Sequence, residues 1–499
     1  MRPLEMKAPA AGASTRRAFL SAPAAFAAAG AGQRRPNVVV LLSDQHRPDL
    51  MTCAGSSMVP TPSLDRLAAR GVRFEHAYCP YPVCAPSRMS FLTGLYPHSH
   101  GVLDNTMRLG WRQRTVAHHF REHGYNTGLI GKMHFLDGQN HGFEYRLGFN
   151  DWLMYLGPKV QHFANEIASY PGYEKTVYDT GSGLPDVADV WDGPSPWVGK
   201  VTPPAGLASE LAAGDHFDAF VAREAVRFIR RYKDEPFFLV AGFLKPHAPF
   251  HPPKGYAEEL YPPERIELPP PGDVTQYPKH VQAAVARYQA MGERRLRMIC
   301  AGYLGNLRYL DVCIGDVLKA LEEAGLVENT IVVYTSDHGE MRGEHGLFQK
   351  FVFFEPSVGV PLIVSYPRAV PAGKVSRALV EYQALYPTLS DLAGLPSPGQ
   401  LDRASFGSLV HNPDAPGPPA VFAEYALSWA PRYMIRTDRY KYIYNEGDIA
   451  ELYDLEPDPG ERINRAASME GVRARLHEQL LSWYDPARNP FRKSKEPQR

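Results

Sequence analysis

The segment PNVVVLLSD (36–44) limits the fold more than any other stretch, because it is apolar at consecutive positions and ends on the carboxylate of Asp44. A strand with one wet face alternates apolar and polar residues. An unbroken run instead reads as a strand covered on both faces, as in parallel sheets packed between helices. NTGLIGK (126–132), PFFLVAGF (236–243), TIVVYTSDHG (330–339) and VPLIVSYP (360–367) repeat the pattern as further parallel strands. Helical segments fall between them. TPSLDRLAARG (61–71) offers Thr61 as N-cap, Pro62 in the first turn and Gly71 as terminator, and TVAHHFREHG stops at Gly124. The stretch 282–325 reads as one long helix or two. Alternating strands and helices predict an α/β sandwich around a mainly parallel sheet. Ligands of such sheets bind beyond the carboxyl ends of the strands, where Asp44 and the Asp337-His338 pair both fall.

A chain of 499 residues suits a large core with a smaller appended lobe. Its 54 Lys+Arg balance 54 Asp+Glu, which argues against a nucleic-acid partner or a polybasic membrane-binding protein. No apolar run reaches the roughly 18 residues of a membrane span. From 152 to 214 periodicity is lost and Gly, Pro, Tyr and Trp accumulate. This insertion is a source of substrate choice, with Trp152, Tyr155, Trp191 and Trp197 as candidate sugar-cleft residues or local packing anchors. HNPDAPGPPA (411–420) reads as a linker. Beyond it, RYMIRTDRYKYIYN (432–445) and ELYDLEPDPGE (451–461) read as antiparallel strands and turns, followed by a helix over 469–484.

At the other end, STRRAFLSAPAAFAAAGAG (14–32) places Arg16-Arg17 ahead of Phe19-Leu20 and a small apolar stretch ending in small residues. That order predicts a twin-arginine signal peptide over 1–32. The expected partner is the twin-arginine export machinery, with periplasmic or extracellular delivery and no integral membrane span in the mature chain.

Five cysteines (Cys53, Cys79, Cys84, Cys300, Cys313) form neither a disulfide framework nor a paired zinc spacing. Cys300 and Cys313 share one predicted helix about 20 Å apart, too far to bridge. In CAPSR (84–88) Pro86 suits a first helical turn, so Cys84 falls at or just before a helix N-terminus. Unpaired N–H groups there favour a tetrahedral oxyanion, and Arg88 follows one turn on. From these residues alone Cys84 is equally a small buried hydrophobe or a low-pKa thiolate of phosphatase type.

CAPSR continuing into MSFLTGLYP resembles the signature of the sulfatase family, within the alkaline phosphatase superfamily. The resemblance runs from Pro36 to about Arg465 and takes in PNVVVLLSDQ, TPSLDRLAARGVRF, GYNTGLIGKMHF, KPHAPF, YTSDHGEMRGEHGLFQK, VPLIV and IRTDRYKYIYN, in the family's order. It implies an alkaline-phosphatase-like three-layer sandwich with a mainly parallel central sheet, the catalytic domain spanning 36–410. A smaller α+β subdomain with an antiparallel sheet would span 421–490. It further implies that a separate formylglycine-generating enzyme oxidises Cys84 to 3-oxoalanine (Cα-formylglycine), whose hydrated aldehyde is the nucleophile. A calcium ion would be held by Asp44, Gln45, Asp337, His338 and an oxygen of modified residue 84, since oxygen-rich ligation suits a hard cation. One departure matters. Many members have two successive acidic residues where this chain has Asp44-Gln45, which lowers the ligand charge, although a Gln carbonyl oxygen can still coordinate.

The resemblance also implies roles. Lys132 and Lys350 bind the sulfate, Lys350 also assisting the leaving group, and Arg88 orients the hydrate. The metal and Asp337 activate one hydroxyl for attack on sulfur. His134 deprotonates the second, collapsing the sulfo-enzyme, and His247 lies near the scissile oxygen. His100, His118, His119 and His345 read as structural or surface residues. The expected activity is S–O cleavage of small-molecule or glycan sulfate monoesters. Phosphonate monoester or phosphodiester hydrolysis with the same nucleophile is the alternative, and a non-catalytic carbohydrate-binding protein is a third reading.

Overall fold

A computed structural model describes residues 34–135, 138–160, 208–257, 259–399, 401–426 and 431–484. The expected signal peptide, Trp191 and Trp197 lie outside these residues. The central sheet contains β1 (Asn37–Asp44), β2 (Gly71–Tyr78), β3 (Asn126–Gly131), β4 (Tyr145–Leu147), β5 (Phe237–Pro246), β6 (Thr330–Ser336), β7 (Leu362–Ser365) and β8 (Lys374–Glu381). Their order is β4-β3-β5-β1-β6-β7-β2-β8. All run the same way except β7, which is antiparallel to both neighbours. This corrects the reading of 360–367 as one more parallel strand. A run buried on both faces carries no mark of its direction.

β1 lies inside the sheet between β5 and β6. Its Val38, Val40 and Leu42 enter one core layer, and Val39 and Leu41 the other. Each such side chain contributes about 1.5–3 kcal/mol on burial, so the strand ending on Asp44 is firmly held. The helices Pro62–Ala69, Phe217–Tyr232 and Glu293–Glu323 cover one face, and Cys84–Thr93, Val116–Glu122 and Leu385–Leu392 the other. The 282–325 region resolves into two helices, Lys279–Gln289 and Glu293–Glu323. Gly71 is not a helix terminator. It opens β2, where an added Cβ would stand 2.2 Å from the Val364 carbonyl oxygen, so the close approach of β7 requires glycine there.

A second sheet, β9 (Ala420–Tyr425), β10 (Arg432–Thr437), β11 (Tyr440–Asn445) and β12 (Glu451–Asp454), is antiparallel in the order β12-β11-β10-β9. Leu476 and Leu480 of the Glu470–Trp483 helix pack on it with Tyr433, Ile435, Tyr442 and Leu452. Lys441 of β11 ties this sheet to the rest. Its buried ammonium is 2.7 Å from carboxylate oxygens of both Glu355 and Glu461 and donates to the Phe353 carbonyl at 2.8 Å. Among the described residues no helix is long and apolar enough to cross a membrane.

Candidate active site

Because β1 and β6 are adjacent and parallel, with Ser43 opposite Ser336, Asp44 and Asp337 leave the sheet side by side. Cys84 is the first residue of its helix, whose Ala85 N–H donates to Asn105 Oδ1 at 2.9 Å. Lys132 follows β3 directly. A Cβ on Gly242 of β5 would come within 2.1 Å of the Lys132 carbonyl oxygen, so glycine there lets the two chains close up and seat the lysine. His247 follows β5, its N–H bonded to the Asp44 carbonyl at 3.2 Å. Lys350 comes from the loop after β6.

These elements bring the candidate residues together in a buried cluster. Cys84 Sγ lies 3.1 Å from His338 Nε2, 3.3 Å from Lys350 Nζ, 3.8 Å from Asp44 Oδ1 and 4.0 Å from Lys132 Nζ. Arg88 has no exposed surface. Its Nε donates to Asp337 Oδ2 at 2.8 Å, one terminal nitrogen to Asp44 Oδ2 at 2.9 Å and the other to the Lys132 carbonyl at 2.6 Å. Its hold on residue 84 therefore runs through those carboxylates and that carbonyl. Lys132 Nζ adds a 2.7 Å contact to Asp44 Oδ2.

Each carboxylate is thus divided. The Oδ2 atoms face Arg88. Asp44 Oδ1 turns to Cys84 and the His338 and His247 imidazoles, while Asp337 Oδ1 accepts from the N–H groups of Gln45 (3.1 Å) and His338 (3.0 Å). Both histidines have a fixed tautomer. His338 Nδ1 donates to the Gly339 carbonyl at 3.0 Å and His247 Nδ1 to the Ala248 carbonyl at 2.8 Å, leaving each Nε2 as a lone-pair donor. Burial pushes His338 down to about 4 despite the neighbouring carboxylates, so it is neutral at pH 7. Burial resists ionisation of Asp44, but the charges of Lys132, Arg88 and Lys350 hold its carboxyl well below the usual range.

Ligand atoms of Asp44, Cys84, Asp337 and His338 all lie within 4.8 Å of one another. Two carboxylates, a neutral imidazole and the Gln45 amide oxygen form a donor set that a hard divalent cation accepts. Gln45 itself occupies the left-handed region, with φ 67°. Its Oε1 accepts from Lys350 Nζ at 3.1 Å, and its Nε2 donates to Glu340. His134, also left-handed at φ 70°, is buried and lines a small cavity shared with Lys132, Arg146 and Phe149. Strain of this kind is retained where surrounding structure enforces it, often at functional sites.

Sequence reasoning missed Glu340 and Ser87, whose hydroxyl donates to the Asp337 carbonyl at 2.5 Å. A carboxylate three positions after Asp337, in the same block as the ligand candidates, was the available signal for Glu340. Trp152 is a packing anchor, buried against Phe149 and Phe217 with its indole N–H on the Asp215 carbonyl at 2.7 Å. His100 and His345 are buried, bonded to Ser90 and Tyr277 respectively. None of the five cysteines is in a disulfide.

Comparisons with known proteins point to one family. A family model described as sulfatase matches residues 36–395, and one described as the C-terminal part of N-sulphoglucosamine sulphohydrolase matches 343–485. An arylsulfatase of Clostridium perfringens is 30% identical over 446 residues, covering 87% of this chain and 91% of its own. A choline-sulfatase of Rhizobium meliloti is 31% identical, covering 88% of this chain and 83% of its own. The crystal structure of a phosphonate monoester hydrolase of Agrobacterium radiobacter superposes with a TM-score of 0.75 at 26% identity, covering 90% of this chain and 95% of that one.

Proposed function

The chain belongs to the sulfatase family, and from that premise we propose that it hydrolyses sulfate monoesters by S–O cleavage, with residue 84 as nucleophile after conversion to formylglycine. The observation that carries this reading is the environment of Cys84 Sγ. Two ammonium groups suited to an anion, Lys350 Nζ and Lys132 Nζ, and one lone pair suited to a cation, His338 Nε2, converge on it within 4.0 Å. Sγ stands where an oxygen of the oxidised, hydrated residue would sit. Asp44, Asp337, Gln45 and His338 would hold a calcium ion, which when bound would lower the pKa of the nucleophilic hydroxyl and offset charge on the sulfate oxygens.

The chain's own residues do the rest. Lys132 and Lys350 flank the residue-84 position with positive charge, matching the charge that builds on equatorial oxygens in the transition state. Arg88 fixes both carboxylates, so their cluster-facing oxygens need no reorganisation during reaction. His247 Nε2 and Lys350 Nζ, in contact with each other, stand ready to deliver a proton to the departing oxygen. His134 is the candidate base for the second hydroxyl of the hydrate. The substrate class we propose is a small-molecule or glycan sulfate ester.

Phosphonate monoester hydrolysis is a second reading, favoured by the structural likeness to the Agrobacterium radiobacter enzyme. A panel of aryl sulfate, phosphate and phosphonate esters separates the two. Sulfate turnover well above the others is expected, and turnover of phosphonate with sulfate at background would replace the first reading by the second. A mass spectrum of the peptide spanning Cys84, from protein made in its native host, tests the nucleophile. An intact thiol there would end the proposed mechanism. We further propose export by the twin-arginine route after oxidation of Cys84 by a formylglycine-generating enzyme in the cytoplasm. The order Arg16-Arg17, Phe19-Leu20 and a small apolar stretch supports it. Arg16→Lys with Arg17→Lys should strand protein that already carries formylglycine inside the cell; unmodified Cys84 in that pool would contradict the order.

A further inference from the structure

The loop between Asp337 and Lys350 is built around one buried carboxylate. Glu340 has only 2% of its surface exposed, and three N–H donors converge on it. Its Oε1 accepts from the main-chain N–H of Arg342 at 2.9 Å and of Gln349 at 2.6 Å. Its Oε2 accepts from Gln45 Nε2. Arg342 and Gln349 both have left-handed backbones, φ 46° and φ 64°, so the loop folds back on itself to present these two donors.

Gln45 is held by every polar group it has. Its N–H donates to Asp337 Oδ1 at 3.1 Å, its carbonyl accepts from Tyr303 at 2.8 Å, and its amide spans from Glu340 to Lys350. An amide can present either end, and its neighbours decide which. A carboxylate only accepts and an ammonium only donates. Glu340 on one side and Lys350 on the other therefore enforce the same orientation, with NH2 toward Glu340 and oxygen toward Lys350 and the Cys84 cluster.

We propose that Glu340 is a positioning residue that fixes the Gln45 amide with its oxygen facing the cation and sulfate side. In this way it supplies from outside the ligand set the carboxylate that position 45 lacks. The inference rests on the proposed calcium-dependent reaction and adds to it a residue that touches neither the metal nor the substrate. It also explains how an amide can serve at position 45: without an acceptor-only neighbour, its NH2 could turn inward and place a donor against Lys350.

Reciprocal exchange tests this. In Glu340→Gln the two main-chain N–H groups keep the new carbonyl oxygen at the Oε1 position, so the new NH2 points at Gln45. Gln45 must then turn its own oxygen outward and its NH2 toward Lys350. In the double variant Gln45→Glu with Glu340→Gln, the NH2 now at position 340 meets an acceptor, and an oxygen again faces Lys350, with net charge unchanged. The full-length protein, stripped of metal with a chelator, is titrated with calcium by calorimetry. The kcat and KM for an aryl sulfate and the melting temperature are measured beside it. Glu340→Gln should lose about 10–100-fold in calcium affinity and in kcat, and the double variant should recover most of both. If Glu340 only holds the loop, melting will fall while calcium affinity and kcat of the folded protein stay at wild-type values. That result, or a double variant no better than Glu340→Gln, would overturn the proposal. A wild-type protein that takes up no calcium would overturn the cation reading beneath it, and the inference with it.

Discussion

Lys350 Nζ lies 3.0 Å from His247 Nε2, and because His247 Nδ1 is committed to the Ala248 carbonyl, that Nε2 accepts the lysine proton rather than opposing it. The pair stands at the Cys84 cluster, with Lys350 Nζ 3.3 Å from Sγ. A lysine and a histidine sharing a proton are suited to assist a leaving group. Lys350→Ala and His247→Ala should each lower kcat by about 10²–10⁴-fold. The loss should be greater for an alkyl sulfate than for p-nitrophenyl sulfate, whose phenolate needs little protonation. Steady-state rates on both substrates check this, and equal losses would remove the leaving-group role.

Arg88 carries a different load. It is the buried counter-ion of both Asp44 and Asp337. Arg88→Ala should destabilise the protein by about 3–5 kcal/mol, because two buried carboxylates lose a partner. Arg88→Lys should fall between, keeping the charge without the planar fork. Excess calcium should restore part of the loss, since it supplies positive charge to the same oxygens. Denaturant midpoints with and without calcium measure both effects.

How far the sequence alone leads can be judged from particular residues. β1, β3, β5 and β6 were legible because burial on both faces leaves unbroken apolar runs, and the acidic ends of β1 and β6 pointed to the site. The direction of β7 was not, since burial does not encode polarity. β2 was missed because its pattern mixes Arg73, Glu75 and His76 with apolar residues, and its opening Gly71 resembled a helix stop. Cys84, Arg88, Lys132 and Lys350 were recognisable in blocks of sequence. The bonds that define Arg88 and Glu340 were not, because they join residues far apart in the chain.

Chelation should abolish turnover yet leave the fold intact. Without the cation, Asp44 and Asp337 still face the positive charges of Arg88 and Lys132. Calcium at about 100 times its Kd should then raise the unfolding free energy by about 2.7 kcal/mol. Asp337→Asn should shrink both the activity and this calcium increment. Thermal melts across a calcium series give the measurement, and a melting temperature independent of calcium would contradict it.

The C-terminal sheet should respond to pH through Glu451. It is buried, bonded to Asn445 Nδ2 at 2.9 Å and to the Tyr453 hydroxyl at 3.0 Å. Burial pushes its carboxyl up to about 7 from 4.5, against those hydrogen bonds and the Arg432 and Lys441 charges. Between these two values the folded protein holds the proton that the unfolded chain has released. Glu451 therefore stabilises the fold in full below pH 4.5, and that contribution is lost as pH rises through 7. The total change is about 3 kcal/mol. Glu451→Gln keeps a neutral group that can accept from Asn445 and donate to Tyr453. It should flatten this part of the stability–pH curve and exceed the wild type at about pH 8 but not at pH 4.5. Denaturant midpoints at the two pH values decide it: a Gln variant that follows the wild-type slope would place the pH dependence elsewhere.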